Sequence, residues 1–276
     1  DLFAGDADGV FRFFLNTGSA TGATFTQQTG ANNPLDGLDV GTESALSLGD
    51  IDRDGDLDAV IGSFYGTFRV FENTGTALAP TFTELTGTNN PLDGEDVGDK
   101  STPTLGDLDG DGDLDLLSGN LDGTFNFYEA TAIDIQEFKA QTGSGNPLDG
   151  VDVGASSAPL LADFDADGDL DVITGGQGGI FQYFQNTGTG LAPTFTELTG
   201  GGNPLNGVFT TFDSSVSAGD LDGDGDLDAI VGQQNGTFRF FENTGTATSP
   251  TFTEMTGGSN PLNGVDVGVR SSSSLG

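Results

Sequence analysis

The sequence predicts an all-β protein: a five-bladed β-propeller of four-stranded antiparallel blades, with the ring closed by the C-terminal strand. Three observations predict this fold. The 276-residue chain repeats one unit five times, each unit consists of short alternating segments, and the two chain ends align with complementary parts of one unit. An open array of the same blades is the alternative.

The repeat is visible in three motifs that share one interval of 56 or 57 residues. Aromatic segments begin at Phe11, Phe68, Phe125, Phe181 and Phe238. Asn-Pro-Leu triplets begin at Asn33, Asn90, Asn146, Asn203 and Asn260, and aspartate clusters begin at Asp50, Asp107, Asp163 and Asp220. We therefore interpret residues 1–276 as a single propeller domain. Its first blade is split between residues 1–40 and 268–276, and the other blades occupy 41–97, 98–153, 154–210 and 211–267.

Each unit is interpreted as four short strands. In the third unit, Ser101–Gly106 leads into the aspartate cluster, Leu114–Gly119 follows it, and Thr124–Ala130 alternates aromatic and polar residues with period two. The fourth strand is clearest at Thr81–Thr86, which alternates strictly and contains β-branched residues. Four antiparallel strands in about 57 residues are typical of one propeller blade.

The chain ends indicate how the ring closes. Asp1–Gly5 aligns with the second strand at Asp115–Gly119, and Ser271–Gly276 aligns with the first strand at Ser44–Gly49. The two ends together would complete one blade and remove an open sheet edge. Because the chain begins with aspartate and not methionine, we expect a mature fragment or a window from a longer protein.

Composition excludes several classes of function. The chain has no cysteine and no histidine, which excludes a Ser-His-Asp triad, a thiol nucleophile, a zinc finger and disulfide bonds. With 43 acidic and seven basic residues and a formal charge of −36, we expect no nucleic-acid partner. The apolar runs are too short for membrane insertion.

The aspartate clusters predict sites for a hard divalent cation. Each nine-residue cluster has aspartate at positions 1, 3, 5, 7 and 9, and these five carboxylates would repel one another without a cation. We assign the side chains of positions 1, 3, 5 and 9 and the carbonyl of position 7 as ligands, with glycine at position 6 allowing the sharp turn. The four sites comprise Asp50, Asp52, Asp54, Asp56 and Asp58; Asp107, Asp109, Asp111, Asp113 and Asp115; Asp163, Asp165, Asp167, Asp169 and Asp171; and Asp220, Asp222, Asp224, Asp226 and Asp228.

Calcium is the expected ion, with four sites per chain. Calcium accepts many flexible oxygen ligands, whereas magnesium requires a stricter octahedron. The loops are not EF-hands, because position 12 is Ile61, Ser118, Thr174 or Val231 where an EF-hand has glutamate. Metal-free solvated loops and a catalytic metal are the alternatives. Asp1 would be position 9 of a fifth loop, and we infer no fifth site from it. Calcium sites of modest affinity fill in extracellular fluid, so we expect a secreted or cell-surface location.

One run of residues resembles a known family. Gly106–Gly119, followed by Gly123-Thr-Phe-Asn-Phe-Tyr, resembles an FG-GAP repeat of the VCBS type, similar to the repeats of integrin α-subunit propellers. The resemblance covers essentially the whole chain, five times over. It implies a β-propeller with calcium between the first and second strands of a blade, in an extracellular adhesion or recognition setting. Integrin-like propellers have seven blades, and this chain supplies five.

These observations favour a non-enzymatic extracellular calcium-binding module for adhesion, recognition or assembly of a surface layer or filament. Its partners, besides calcium, would be other surface proteins, glycans or copies of itself. A carbohydrate-binding, lectin-like propeller is the alternative, and a polysaccharide-active enzyme domain is a further one. The Asn-Pro-Leu loops are interpreted either as stiffened turns with a buried leucine or as recognition surfaces.

Overall fold

A computed structural model describes residues 1–19, 21–131, 137–210 and 214–276. Its sheets are five four-stranded antiparallel blades arranged in a ring, which confirms the predicted β-propeller. The predicted blade boundary at residue 211 lies outside the described residues. The described residues include no helix that is long and apolar enough to cross a membrane.

The strands of every blade follow one order, from the inner first strand to the outer fourth strand. Blade 1 contains β20 (Ser272–Leu275), β1 (Leu2–Gly5), β2 (Phe11–Asn16) and β3 (Phe25–Gln28). Blade 2 contains β4 (Ala45–Gly49), β5 (Asp58–Gly62), β6 (Phe68–Asn73) and β7 (Phe82–Leu85). Blade 3 contains β8 (Thr102–Gly106), β9 (Asp115–Gly119), β10 (Phe125–Ala130) and β11 (Phe138–Gln141). Blade 4 contains β12 (Ala158–Ala162), β13 (Asp171–Gly175), β14 (Gln182–Asn186) and β15 (Phe195–Leu198). Blade 5 contains β16 (Val216–Gly219), β17 (Asp228–Gly232), β18 (Phe238–Asn243) and β19 (Phe252–Met255).

The helical content of the described residues is limited to single 3-10 turns that follow the fourth strand of each blade. These turns are Gly30–Asn32, Gly87–Asn89, Gly143–Gly145, Gly200–Gly202 and Gly257–Ser259. This agrees with a composition that is rich in glycine and poor in stretches of good helix formers.

The first strands form a closed inner ring. Contacts run from β4 to β8, β8 to β12, β12 to β16, β16 to β20, and from β20 back to β4. In the split blade, β20 pairs antiparallel with β1, so that Leu275 lies opposite Leu2 and Ser272 opposite Gly5. The strands contributed by the two chain ends therefore share one sheet, and the open array is not observed.

An apolar core lies at each junction between neighbouring blades. At the junction of blades 2 and 3, buried Val60 and Phe68 pack with Tyr128 and Phe138. The rings of Phe68 and Tyr128 meet edge to face, with centroids 6.0 Å apart. Equivalent clusters join the other four pairs of neighbours. The aromatic residues of the third strands thus serve as core between blades, because the alternating pattern turns one face of every sheet toward the next.

A glycine and a serine bring adjacent blades into close contact. Gly62 ends the second strand of blade 2, and a Cβ there would lie only 2.2 Å from the backbone oxygen of Ser101 in blade 3. The buried Ser101 hydroxyl donates to the Thr67 carbonyl at 2.9 Å and accepts from the Ser63 N–H at 2.8 Å. Blades 3 and 5 are joined to their neighbours in the same way by Ser157 and Ser271.

The Asn-Pro-Leu triplets shape the loops that lead from one blade to the next. Asn33 donates from its amide nitrogen to the Phe11 carbonyl at 2.9 Å, and its Oδ1 accepts from the Leu35 N–H at 3.1 Å. Leu35 is 2% exposed, and the leucines of the other triplets are buried equally well. The leucines of the Asn-Pro-Leu triplets are therefore buried, as expected if these loops are stiffened turns.

Candidate metal centres

Four nine-residue Asp loops connect the first and second strands of blades 2 to 5, and the face of the ring on which they lie is called the Asp-loop face. Glycine at position 6 has positive φ in every loop, between 95° and 99°, a backbone conformation that favours glycine. These glycines are Gly55, Gly112, Gly168 and Gly225. The residue at position 2 is apolar and anchors the start of the loop in the core, as the buried Ile51, Leu108 and Phe164 show.

Three carboxylates converge in every Asp loop. They come from positions 1, 3 and 9, and one oxygen of each lies within 4.8 Å of the others. The groups are Asp50, Asp52 and Asp58; Asp107, Asp109 and Asp115; Asp163, Asp165 and Asp171; and Asp220, Asp222 and Asp228. Such a cluster of oxygen ligands with no nitrogen or sulfur donor suits a hard divalent cation.

The carboxylate at position 9 is held rigidly from both sides. In blade 2, Asp58 Oδ2 accepts from the Ile51 N–H at 3.0 Å, and Oδ1 accepts from the Asn73 N–H at 2.8 Å. The same two bonds recur at Asp115, Asp171 and Asp228. Position 9 therefore ties its own loop to the third strand of the blade while presenting an oxygen to the cluster.

The carboxylate at position 1 closes the loop and leaves one oxygen available. Oδ2 of Asp50 accepts from the Gly55 N–H at 3.1 Å, and the same bond is found in the other three loops. In contrast, three carboxylate oxygens are buried and have no hydrogen-bond partner among the described residues. They are Oδ1 of Asp50 and of Asp107 at position 1, and Oδ1 of Asp165 at position 3. A buried carboxylate oxygen without a donor is unfavourable, and a bound cation would satisfy it.

The electrostatics of the clusters agree with this interpretation. Burial raises the pKa of Asp115 to about 7 and the pKa values of Asp58, Asp171 and Asp228 to about 6, with the neighbouring carboxylates adding to the effect. Backbone N–H donors to position 9 act in the opposite direction. Negative charge is therefore disfavoured at position 9 unless a positive ion is present, and such an ion would reverse the direction of these pKa shifts.

Positions 5 and 7 are not among the converging carboxylates. At position 5, Oδ1 of Asp54 accepts from the Asp56 N–H at 3.1 Å, and Asp111, Asp167 and Asp224 make the equivalent bond. At position 7 the side chains of Asp56 and Asp226 are each 8% exposed. Position 5 thus shapes the turn in this conformation, and its carboxylate retains a second oxygen for an ion.

Two groups that support the clusters are not evident from the sequence. The backbone N–H that holds position 9 belongs to the residue fifteen positions later, which is Asn73, Ala130, Asn186 or Asn243. The side chain of this residue varies among the blades. Only its constant separation of fifteen residues from position 9 could have identified it from the sequence. In blade 4 the Tyr183 hydroxyl also donates to Asp171 Oδ2 at 2.7 Å, a contact that the other blades lack the tyrosine to make.

In blade 1, Asp1 occupies the place that position 9 of an Asp loop has in the other blades. Its Oδ1 accepts from the Asn16 N–H at 2.8 Å, the same bond and the same length as between Asp58 and Asn73. The four Asp loops contain every cluster of three or more convergent acidic side chains among the described residues.

Comparison with known proteins points to one family. The family model described as FG-GAP-like repeat matches residues 50–118 and 163–231, together half of the chain. Each match begins at position 1 of an Asp loop and ends in the second strand of the following blade. No curated protein matches the chain.

Among solved structures, the chain is similar to a lectin from Agrocybe aegerita that is described as recognising non-reducing terminal N-acetylglucosamine. The two chains are 20% identical with a TM-score of 0.44, and the alignment covers 92% of this chain. The chain spans 64% of the lectin's length. A likeness at this level is no argument for a shared ligand.

Proposed function

Since the chain belongs to the FG-GAP-like repeat family, we propose that it is a calcium-stabilised propeller that serves as a non-enzymatic binding module outside the cell. Its role in this proposal is adhesion, recognition or assembly of a surface layer or filament. Its partners would be surface proteins, glycans or copies of itself.

One observation carries the proposal. In four blades, three carboxylate oxygens lie within 4.8 Å of one another, and three loops leave a buried oxygen at position 1 or 3 without a donor. Repulsion among these groups favours either protonation or a bound cation. At neutral pH a divalent cation is the more favourable solution, because one ion neutralises two carboxylates and satisfies several lone pairs at once.

Calcium suits the loops better than magnesium does. The side chains of positions 1, 3 and 9 converge, and calcium accepts six to eight oxygen ligands in flexible geometry, to which positions 5 and 7 would contribute. When bound, the ion would supply charge neutralisation and a crosslink between the ends of the first and second strands. The carboxylates of Asp50, Asp52 and Asp58 would hold it in blade 2, with their counterparts in blades 3 to 5.

The energetics favour a structural role. At free calcium about tenfold above the dissociation constant, each site stabilises the fold by roughly 1.4 kcal/mol, and four sites give on the order of 6 kcal/mol. That is comparable with the whole stability of a typical domain. Extracellular modules bind calcium with dissociation constants of roughly 10⁻⁴–10⁻³ M and fill in millimolar calcium but not in cytosol. This supports the proposed extracellular location.

Thermal unfolding of metal-free protein, with and without added calcium, tests the proposal. We expect 2 mM calcium to raise the melting temperature by about 10 °C, since a protein of this size shifts by roughly 2 °C per kcal/mol. The matched control is magnesium at the same concentration, for which we expect a smaller shift. A melting temperature that is unaffected by calcium would contradict the structural role of the loops.

A further inference from the structure

Three Asn-Gly dipeptides occur in the chain, and the structure separates two of them from the third. Asn206-Gly207 and Asn263-Gly264 each follow the leucine of an Asn-Pro-Leu triplet, whereas Asn235-Gly236 lies between the second and third strands of blade 5. In such a dipeptide the backbone nitrogen of glycine can attack the side-chain amide of asparagine, because glycine has no side chain to hinder the approach. The local structure around each dipeptide decides whether this reaction is open to it.

The two dipeptides in the Asn-Pro-Leu loops are unprotected. Asn206 and Asn263 are exposed, and the side chain of neither makes a hydrogen bond among the described residues. The N–H groups of Gly207 and Gly264 likewise donate to no acceptor there. A Cβ built on either glycine would have no atom within 4 Å apart from those of its chain neighbours. Neither the attacking nitrogen nor the amide that it would attack is therefore held by a hydrogen bond.

The third dipeptide is held at both of its reacting groups. The Gly236 N–H donates to the Gln233 carbonyl at 3.0 Å, and Gly236 is buried. The side-chain oxygen of Asn235 accepts from the Thr237 N–H at 3.2 Å and from the Thr237 hydroxyl at 2.8 Å. Asn235 is itself exposed, but its amide and the glycine nitrogen must first leave these three hydrogen bonds.

The other blades show that aspartate fits the position in the Asn-Pro-Leu loops. The corresponding residues of the other three loops are Asp36, Asp93 and Asp149. The Asp36 N–H donates to the Asn33 carbonyl at 3.0 Å, and the Asn206 N–H makes the equivalent bond at the same length. The loop therefore follows one backbone path with either side chain, so that an aspartate formed from the asparagine would be accommodated.

We propose that Asn206 and Asn263 are sites of spontaneous deamidation in the folded protein. A base takes the proton of the Gly207 N–H, and the nitrogen forms a bond to Cγ of Asn206. The bond from Cγ to the amide nitrogen breaks, and ammonia leaves with a proton from water, so that a succinimide ring remains. Water then opens the ring at either carbonyl and gives aspartate or isoaspartate. Asn263 reacts in the same way with the nitrogen of Gly264.

The two products differ in what they do to the loop. Aspartate adds one negative charge and gives the loop the Asp-Gly pair that the other three loops already have. Isoaspartate adds the same charge and also inserts one more carbon atom into the backbone. The reaction needs only water and a base, and it is independent of the function proposed above.

The full chain, incubated in 2 mM calcium at mildly alkaline pH and then digested at acidic pH, is analysed by peptide mass spectrometry over time. We expect the peptides with Asn206 and Asn263 to gain about 1 Da each, in part as isoaspartate. We expect Asn235 to react about tenfold more slowly or less, because three hydrogen bonds must break first.

Two controls separate the effect of the fold from that of the dipeptide. In urea with a chelator the hydrogen bonds are lost, and we expect the three asparagines to react at similar rates. Thr237→Val removes the hydroxyl that donates to Asn235, and it should speed the reaction there about threefold while leaving Asn206 and Asn263 unchanged. Asn206→Asp carries one of the products directly, and we expect it to melt at the same temperature as the unchanged protein.

Two results would overturn the inference: no mass gain at Asn206 and Asn263 in the folded protein, or equal rates at these residues and Asn235. A lower melting temperature of Asn206→Asp would show that the loop does not accommodate the product. If Thr237→Val fails to fold, the comparison of the three asparagines in the folded and unfolded chain still decides. Calcium-dependent melting of the same samples tests the Asp loops separately.

Discussion

Blade 1 and blades 2 to 5 share one strand framework and differ in how their first two strands are connected. In blade 2, an Asp loop joins β4 to β5 and gathers three carboxylates, whereas in blade 1 the strands β20 and β1 come from opposite ends of the chain. Yet β20 and β1 pair in register, and Asp1 makes the same bond to the third strand as Asp58 does. The two kinds of blade therefore share strand pairing and packing, and the Asp loop adds a cluster of carboxylates that could hold a cation.

Position 9 has two separate tasks in these blades. In every blade its carboxylate accepts the backbone N–H of the third strand, but only in blades 2 to 5 does it lie beside other acids. The first task is structural and independent of metal. The second is electrostatic, and under the calcium proposal it would make blades 2 to 5 sensitive to calcium and pH.

The largest expected effect is the pH dependence of the metal-free protein's stability. Burial raises the pKa values of the four carboxylates at position 9 to about 6 or 7, above their value in the unfolded chain. The folded state then binds more protons, so its stability is full near pH 4 and is lost as the pH rises through 6 to 7. We expect the free energy of unfolding in urea to fall by about 4 kcal/mol between pH 5 and pH 8, roughly 1 kcal/mol for each group.

With calcium bound the sign reverses, because protons then compete with the ion for the same oxygens. Asp115→Asn should remove the largest single share of the metal-free pH dependence, because burial raises the pKa of Asp115 furthest. A metal-free protein that is less stable at pH 5 than at pH 8 would show that these groups are not shifted as described.

The next effect concerns the junctions between blades. A Cβ at Gly62 would lie 2.2 Å from the Ser101 backbone oxygen, and a Cβ at Gly5 would lie 2.8 Å from the Ser44 backbone oxygen. We expect Gly62→Ala to lower the free energy of unfolding by about 3 kcal/mol and Gly5→Ala by less, since overpacking forces the backbone to shift. Gly201→Ala is the control, because nothing lies within 4 Å of its added Cβ. Equal stability of all three variants in urea would argue against a tight junction.

The smallest effect separates the two tasks of position 9. In calcium we expect Asp115→Asn to lower the free energy of unfolding by about 2 kcal/mol, because it weakens one metal site and turns an amide N–H toward the Leu108 N–H. Asp1→Asn, which keeps an oxygen for the Asn16 N–H, should change it by less than about 0.5 kcal/mol. Similar losses for the two variants in calcium would mean that the Asp loops add nothing beyond the strand contact.

Much of this architecture was predictable because it depends on local sequence that is repeated. The period of 56 or 57 residues, the alternation at Phe125–Ala130 and the aspartates at positions 1, 3 and 9 of each loop all involve neighbouring residues in the chain. The β-propeller was predicted correctly, as was the pairing of the C-terminal strand with the N-terminal strand.

The remainder depends on contacts between distant residues. Gly62 and Ser101 meet across two blades, and nothing in either segment indicates how closely. The orientation of Asp54 toward the Asp56 N–H is fixed by the local path of the loop, which the residue types leave open. Asp56 and Asp226 at position 7 are each 8% exposed, whereas Asp113 at the same position pairs with Arg53 of the neighbouring blade, so that four loops of nearly identical sequence have different surroundings.

Calorimetric titration of the metal-free chain with calcium tests the central claim most directly. We expect four ions to bind per chain, and three to bind to Asp115→Asn, because the described residues contain four Asp loops and each would hold one ion. The absence of calcium binding, or an unchanged stoichiometry in Asp115→Asn, would contradict the assignment of the four carboxylate clusters as calcium sites.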